Sequence, residues 1–484
     1  MSTEWRDDKS DRTAITPAPP APSVAKPKKG DAGDIETGSG VEVSGVVHDA
    51  VFGDIVEHGP NFRAVNGWGA FVLMTKANLG LGVLAIPVVF STLGIVPGII
   101  VIVVIEAILM YCASFLGPFK IAHPEVYGLA DAGYVFGGRW GKEIFYAIFS
   151  IFMVFCTASA IVGVSTALNA MSSHGACTAV FVVVAAIAGF LLGSIRTLGK
   201  VSWVGWAGIT SVMVSIIALT IAVGVQERPS EAPRTGPWDK KFQVVGKPSF
   251  AGAMTAINII LFSSSATPMY FGVLSEMRDP RQYTKAMCGS LTFLTCVYLI
   301  IGSVVYHFCG QYVASPALGS AGILMKKVCY GLAFPGLLAS LTIFNHISAK
   351  HLFVRILSGS KHLTANSWTH WGTWLGCTGG SVIIAYIIAS AIPVFGSLID
   401  FIGALLCPLV AIIPELFMWW HDNIRTREAP LTRRLKIQLV VNGVLLVVAA
   451  YLTVAGTYAA IVELIHTSVN TGPWTCANNS GRLD

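Results

Sequence analysis

The stretch KANLGLGVLAIP, Lys76 to Pro87, combines a charge with residues that break a helix, at the start of a long apolar run. A lysine at the centre of a bilayer costs about 3 kcal/mol on insertion scales. Pro87 has no backbone N–H, so the carbonyl of Val83 loses its helical donor. Gly80 and Gly82 add backbone freedom and remove bulk. A second stretch has the same character: Phe262-Ser263-Ser264-Ser265-Ala266-Thr267-Pro268, in which Pro268 frees the carbonyl of Ser264. Backbone groups without partners cannot face lipid; they must face protein or a wet cavity. The N–H groups of Gly80, Leu81 and Gly82 would open a second half-helix, whose positive dipole end suits a carboxylate. The carbonyls and hydroxyls of Phe262 to Thr267 suit an ammonium group. Two such breaks facing each other, with Asn78 beside them, would hold a zwitterion such as an α-amino acid. The plainer alternative is that the glycines serve close helix packing and the prolines make simple kinks.

Other polar groups in apolar surroundings are candidates for ion coupling. Lys76 either snorkels to the nearer membrane face or stands, as a buried ammonium, where other carriers hold a coupling cation. Ser340 and Thr342 could border an ion site or simply pack helices. Glu106 is a proton-relay candidate or a structural partner. Asp400 and Glu415 flank a later apolar run and read as end residues. Phe155, Phe262 and Phe401 could shape a side-chain pocket.

The elements that must position these groups are membrane helices. Of 484 residues, 54% are hydrophobic and 12% charged, about half the charge of a soluble globular chain. A helix needs roughly 20 apolar residues to cross a bilayer. The uncharged runs predict an all-α integral membrane protein with eleven crossings, at about 68–92, 95–117, 142–171, 176–195, 201–225, 250–274, 286–309, 327–349, 372–392, 395–420 and 435–465. Barrel strands would alternate polar and apolar residues, and these runs do not. The first run starts after residue 60 and many follow, which is not the pattern of a cleaved signal peptide. The breaks lie in crossings 1 and 6, five apart, and matching breaks in two halves point to an inverted-repeat transporter.

Residues 1–60, with PAPPAP at Pro17–Pro22 and then Lys26, Lys28 and Lys29, cannot bury a core and read as a disordered cytosolic tail. The membrane domain is expected over 61–466 and a short extracellular tail over 467–484. With the N-terminus in the cytosol, the inner side holds 23 of the 32 Lys and Arg residues and the outer side 8; Lys76 is the remaining one. That satisfies the positive-inside rule and puts the C-terminus outside, where Asn478-Asn479-Ser480 is a glycosylation sequon. The net charge of +6 gives no reason to expect a nucleic-acid partner. The ten cysteines show no metal-ligand spacing. Cys177 and Cys309 fall at outward-facing helix ends and are the candidate disulfide, with Cys329 and Cys476 as rival partners and two free thiols as the plain alternative.

KANLGLGVLAIP resembles the first-helix motif of the amino acid/auxin permease family, in the form K-G-N-x-G-x-G-L-L-G-L-P of its proton-coupled branch. Lys76, Asn78, Gly80, Gly82 and Pro87 match. AVNGWGAFVLMTKANLG and ITSVMVSIIALTIAVGV look like fungal neutral amino-acid permeases of the methyltryptophan-resistance type. The resemblance covers roughly 68–465. It implies a leucine-transporter-like fold of five plus five inverted helices, helices 1 and 6 discontinuous, with an eleventh added. It implies uptake of neutral aliphatic and aromatic L-amino acids at the plasma membrane. It favours protons over sodium as coupling ion, because sodium-coupled relatives tend to carry asparagine where Lys76 stands. Ala77 and Ala85 replace glycines of the pattern. Leu81 replaces a residue that is often small or polar, so only its backbone role carries over.

Two motif matches lack their context. Gly80 to Ala85 fits G-x-G-x-x-A with no strand before it, and Gly193 to Lys200 has the wrong spacing for a phosphate loop. A membrane-embedded enzyme would need clustered His, Asp or Glu at mid-depth, and the apolar runs show none. No cofactor or metal is expected. The competing readings are a sodium-coupled carrier and a nutrient receptor on the same fold.

Overall fold

The computed structural model describes residues 47–49, 53–55, 65–195, 198–233, 235–358, 360, 362, 367–468 and 472–480. The expected cytosolic tail falls almost wholly outside them; β1 (Val47–Asp49) and β2 (Gly53–Ile55) pair there as a short antiparallel hairpin. The remainder is helical: α1 (Gly67–Asn78), α2 (Ile86–Leu93), α3 (Ile95–Ala113), α4 (Leu116–Ala122), α5 (Leu129–Ser172), α6 (Thr178–Gly193), α7 (Leu198–Val225), α8 (Phe250–Ser264), α9 (Thr267–Glu276), α10 (Tyr283–Cys309), α11 (Ile323–Ile356), α12 (Trp368–Ala391), α13 (Phe395–Leu405), α14 (Cys407–Ala411), α15 (Ile413–Trp420) and α16 (Arg433–Ser468).

Among the described residues eight spans are long and apolar enough to cross a membrane, and up to ten when each of two bent pairs counts as one; α6 is a shorter apolar helix. Their outer faces are apolar. Val440, Val444, Val447, Tyr451, Val454, Tyr458, Ile461 and Ile465 form an exposed stripe along α16 at helical spacing. Water would penalise that stripe and hydrocarbon accepts it. The core runs along α1, α2, α5, α8, α10, α11 and α13; α8 lies against α2, α13 and α16, and α11 against α5 and α7.

The structure departs from the sequence reading in four places. α5 begins at Leu129, not at 142, because Gly138 takes φ 60° and ψ −149° and lets a short amphipathic segment join the span at a kink. A side chain at Gly141 would collide with the Gly133 carbonyl there. The tenth span is broken: α13 and the segment Cys407–Arg425 meet at 50°, with Pro408 and Pro414 each in the first turn of the next piece. Asp400 and Glu415 are each only 1% exposed and are buried in the bundle.

The fourth departure is the disulfide, which joins Cys177 to Cys476, while Cys309 is a free, buried thiol. The tail explains the choice. Thr178 donates to Ala477 O at 2.6 Å, Trp474 N–H to Ser390 O at 3.0 Å, and Asn169 to Asn479 Oδ1 at 2.7 Å. These bonds bring Cys476 to Cys177, whereas Cys309 closes α10 under the Lys240 loop. In the sequon, Asn478 Oδ1 accepts from the N–H and the hydroxyl of Ser480.

Candidate binding site between two broken spans

α1 ends at Asn78, and the cap residue Leu79 donates to Thr75 O at 2.7 Å. A 3-10 turn at Gly82–Leu84 follows, and α2 opens at Ile86 with the halves 51° apart. In the second break α8 ends at Ser264 and α9 opens at Thr267, leaving Ser265 and Ala266 between them. Pro87 and Pro268 each stand in the first turn of the second half-helix. There a missing N–H costs nothing and the fixed φ suits a helix start. Both prolines therefore begin a new half-helix instead of kinking a continuous one.

Asn78 ties the breaks together. Its Oδ1 accepts the Ala266 N–H at 3.1 Å, and its Nδ2 donates to Tyr270 OH at 2.5 Å and to Met74 O at 3.4 Å. Gly82 lies directly on Ser263; a Cβ there would come within 2.5 Å of the Ser263 Cα. The ends of the two spans also meet, where Val65 N–H donates to Glu276 O at 3.0 Å and Arg278 N–H to Val65 O at 2.9 Å.

The backbone at the breaks is left with open groups. Among the described residues nothing accepts from the N–H of Gly80 or Leu81, and no donor reaches the carbonyls of Ser264 or Ser265. The side-chain hydroxyls, in contrast, are mostly used. Ser263 donates to Ile259 O at 2.7 Å and Ser265 to Leu261 O at 2.5 Å. Ser264 donates to Glu106, whose second oxygen has no partner among the described residues. Tyr298 OH takes the Ser263 carbonyl at 2.8 Å. Thr267 is buried at the head of α9. Peptide groups rather than hydroxyls are what the breaks offer to a ligand.

Lys76 is 8% exposed, so its side chain stays within the bundle. Its Nζ lies 3.5 Å from both Leu79 O and Ser340 Oγ, and its Cε and Nζ fill the notch left by Gly208 of α7. Among the described residues no carboxylate pairs with it. Thr342 is two residues from Ser340, about 200° round the helix, and bonds back to Leu338 O at 2.8 Å. Only Ser340 of the two reaches Lys76.

The Leu81 side chain sits against Gly163 of α5, where an added Cβ would be 2.8 Å from its Cδ2. Phe155 and Phe401 come together from α5 and α13 with centroids 5.8 Å apart. Phe262 is half-buried, and no ring contact joins it to that pair among the described residues. Sequence reasoning missed Tyr270 and Tyr298. It also missed the clamp in which Asp400 accepts from Thr255 at 3.0 Å and Asn258 at 2.7 Å, fastening α13 to α8.

Replacing Asn78 with alanine should orphan the Ala266 N–H and the Tyr270 hydroxyl. A buried group left without its partner costs about 1–3 kcal/mol. We expect Asn78→Ala to melt below the wild-type chain in detergent and to lose substrate uptake, with Tyr270→Phe intermediate. Wild-type melting and uptake in Asn78→Ala would show that this amide does not hold the breaks.

Residues 64–462 match the family model described as transmembrane amino acid transporter protein. A transmembrane transporter of Gibberella moniliformis is 37% identical over 428 residues, covering 87% of this chain and 90% of that protein. The N amino acid transport system protein of Neurospora crassa is 31% identical over 422 residues, covering 85% and 88%. Among solved structures, the nucleobase-cation-symport-1 family transporter Mhp1, closed with bromovinylhydantoin bound, aligns with a TM-score of 0.51 and 13% identity over 86% of this chain and 96% of that one. That likeness is one of fold. With a match across the whole helical region and relatives of near-equal length, the chain belongs to the transmembrane amino acid transporter family.

Proposed function

We propose that the chain imports neutral aliphatic and aromatic L-amino acids across the plasma membrane with protons as the coupling ion. The observation that carries this reading is the pair of breaks: N–H groups at Gly80 and Leu81 and carbonyls at Ser264 and Ser265 that have no partner among the described residues, and Asn78 fixing one break against the other. The first pair suits an α-carboxylate, the second an α-ammonium. Phe155 and Phe401 would border the substrate side chain, consistent with an apolar one. The Neurospora relative's name also points to amino acids.

In this reading α6 completes eleven spans, arranged as a five-plus-five inverted repeat with one added, and transport alternates around the chamber. Lys76 takes the place of a coupling cation between α1, α7 and α11, with Ser340 as its neighbour. Glu106, touching the second break through Ser264, is the acid that completes the coupling path. The N-terminus is cytosolic and the C-terminus extracellular, where Asn478 carries a glycan.

The test is uptake of labelled leucine and phenylalanine into proteoliposomes with proton and sodium gradients imposed separately. Accumulation under the proton gradient alone is expected. Accumulation under sodium alone would overturn the coupling, and failure of even counterflow would overturn transport itself.

A further inference from the structure

At the end of the bundle that the charge count places in the cytosol, three metal-ligating side chains converge from two parts of the chain. His123 caps the C-terminus of α4. His421 and Asp422 open the π-helical turn His421–Arg425 after α15. His123 Nε2 lies 2.9 Å, and His421 Nδ1 3.1 Å, from the same oxygen, Asp422 Oδ1. All three donor atoms lie within 4.8 Å of one another. The transport chamber uses none of them.

We propose that His123, His421 and Asp422 form a zinc site that fastens α4 to the end of the tenth span. Two imidazoles and a carboxylate are a standard three-ligand zinc set, with a water completing the tetrahedron. Ligands about 2.05 Å from a tetrahedral ion stand about 3.3 Å apart, so the two short separations need open by only a few tenths of an ångström. Outside the ligand set, His123 Nδ1 faces Glu125 Oε1 at 3.7 Å, just beyond hydrogen-bond distance, so a small closure would give the imidazole the carboxylate partner that orients a zinc-bound histidine. Both backbones are tied down. Lys120 Nζ donates to Pro124 O at 2.7 Å and to Val126 O at 2.5 Å, shaping the His123 turn. On the other side, Arg425 donates to Phe136 O at 2.7 Å, and Thr426 N–H closes the π turn on His421 O at 3.0 Å. π turns are rare and concentrate at functional sites. An ion has a way in, because Asp422 lines a cavity of about 510 Å³ with Phe119, Trp419 and Asn423.

The test is zinc titration of the purified full-length chain in detergent, with competition by a chromophoric chelator and melting followed in parallel. The wild-type chain should bind one zinc more than His123→Gln and gain melting temperature with zinc. His123→Gln and Asp422→Asn should each weaken that site by more than about 100-fold, the upper end of outer-shell effects. Glu125 is 62% exposed on its side chain, so Glu125→Gln leaves folding intact; it should weaken zinc binding about tenfold. Equal stoichiometry in wild type and His123→Gln, or unchanged zinc affinity in Glu125→Gln, would overturn the site.

Discussion

Lys76→Met should abolish accumulation of leucine against its gradient in proteoliposomes, while counterflow stays within about tenfold of wild type, or about 1.4 kcal/mol in the limiting barrier. Methionine keeps the length and flexibility of the stem that fills the Gly208 notch, so packing among α1, α7 and α11 survives. What goes is the charge. The ammonium sits at the C-terminal end of α1, 3.5 Å from the Leu79 carbonyl, where the helix dipole presents its negative pole. The same ammonium reaches Ser340 of α11. A buried cation without a carboxylate persists where its charge is useful, since its desolvation is otherwise uncompensated. A charge that joins the first break to α11 in one state of the cycle, and is relieved in another, would link the gradient to the substrate. Without it, substrate still exchanges but nothing drives it uphill. Wild-type accumulation by Lys76→Met would remove this residue from the coupling path.

What could be read from the sequence is local. Pro87, Gly80, Gly82 and Pro268 announce their breaks because a proline removes a donor wherever it stands, whatever packs around it. Lys76 stands out because any charge in an apolar run is costly. Groups whose meaning depends on a distant partner were not legible. Tyr270 and Tyr298 look like any aromatic in a membrane helix until Asn78 and the Ser263 carbonyl are brought against them. Asp400 reads as an end residue because Thr255 and Asn258 belong to a different span. Cys476 outcompetes Cys309 for Cys177 only through the path of the tail, which spacing does not encode. The break in the tenth span was legible, since Pro408 and Pro414 stand in the run. No cluster of small polar residues marks it: Pro408 stands between Cys407 and Leu409, and Pro414 between Ile413 and Glu415.

The two glycines of the first break should separate sharply on substitution. Gly82→Ala puts a Cβ 2.5 Å from the Ser263 Cα and 2.8 Å from its Cβ, contacts that only a backbone shift can relieve. That shift pushes the first break away from the second. It also strains the Asn78–Ala266 bond that holds the register between them. Overpacking of this kind costs about 1–3 kcal/mol in stability, and the displacement at the chamber should cost transport far more, about 100-fold for a misplacement of about an ångström. At Gly80 an added Cβ would meet only Ser340 Oγ, at 3.4 Å. Gly80→Ala should therefore melt near wild type and retain most of its uptake, with any loss confined to coupling through the Lys76–Ser340 neighbourhood. Equal-potency counterflow assays on the two variants, normalised to folded protein, decide the matter. If Gly82→Ala transports like wild type, or Gly80→Ala fails as badly, the close approach of the two breaks is not what builds the substrate chamber, and the free peptide groups there would need another explanation.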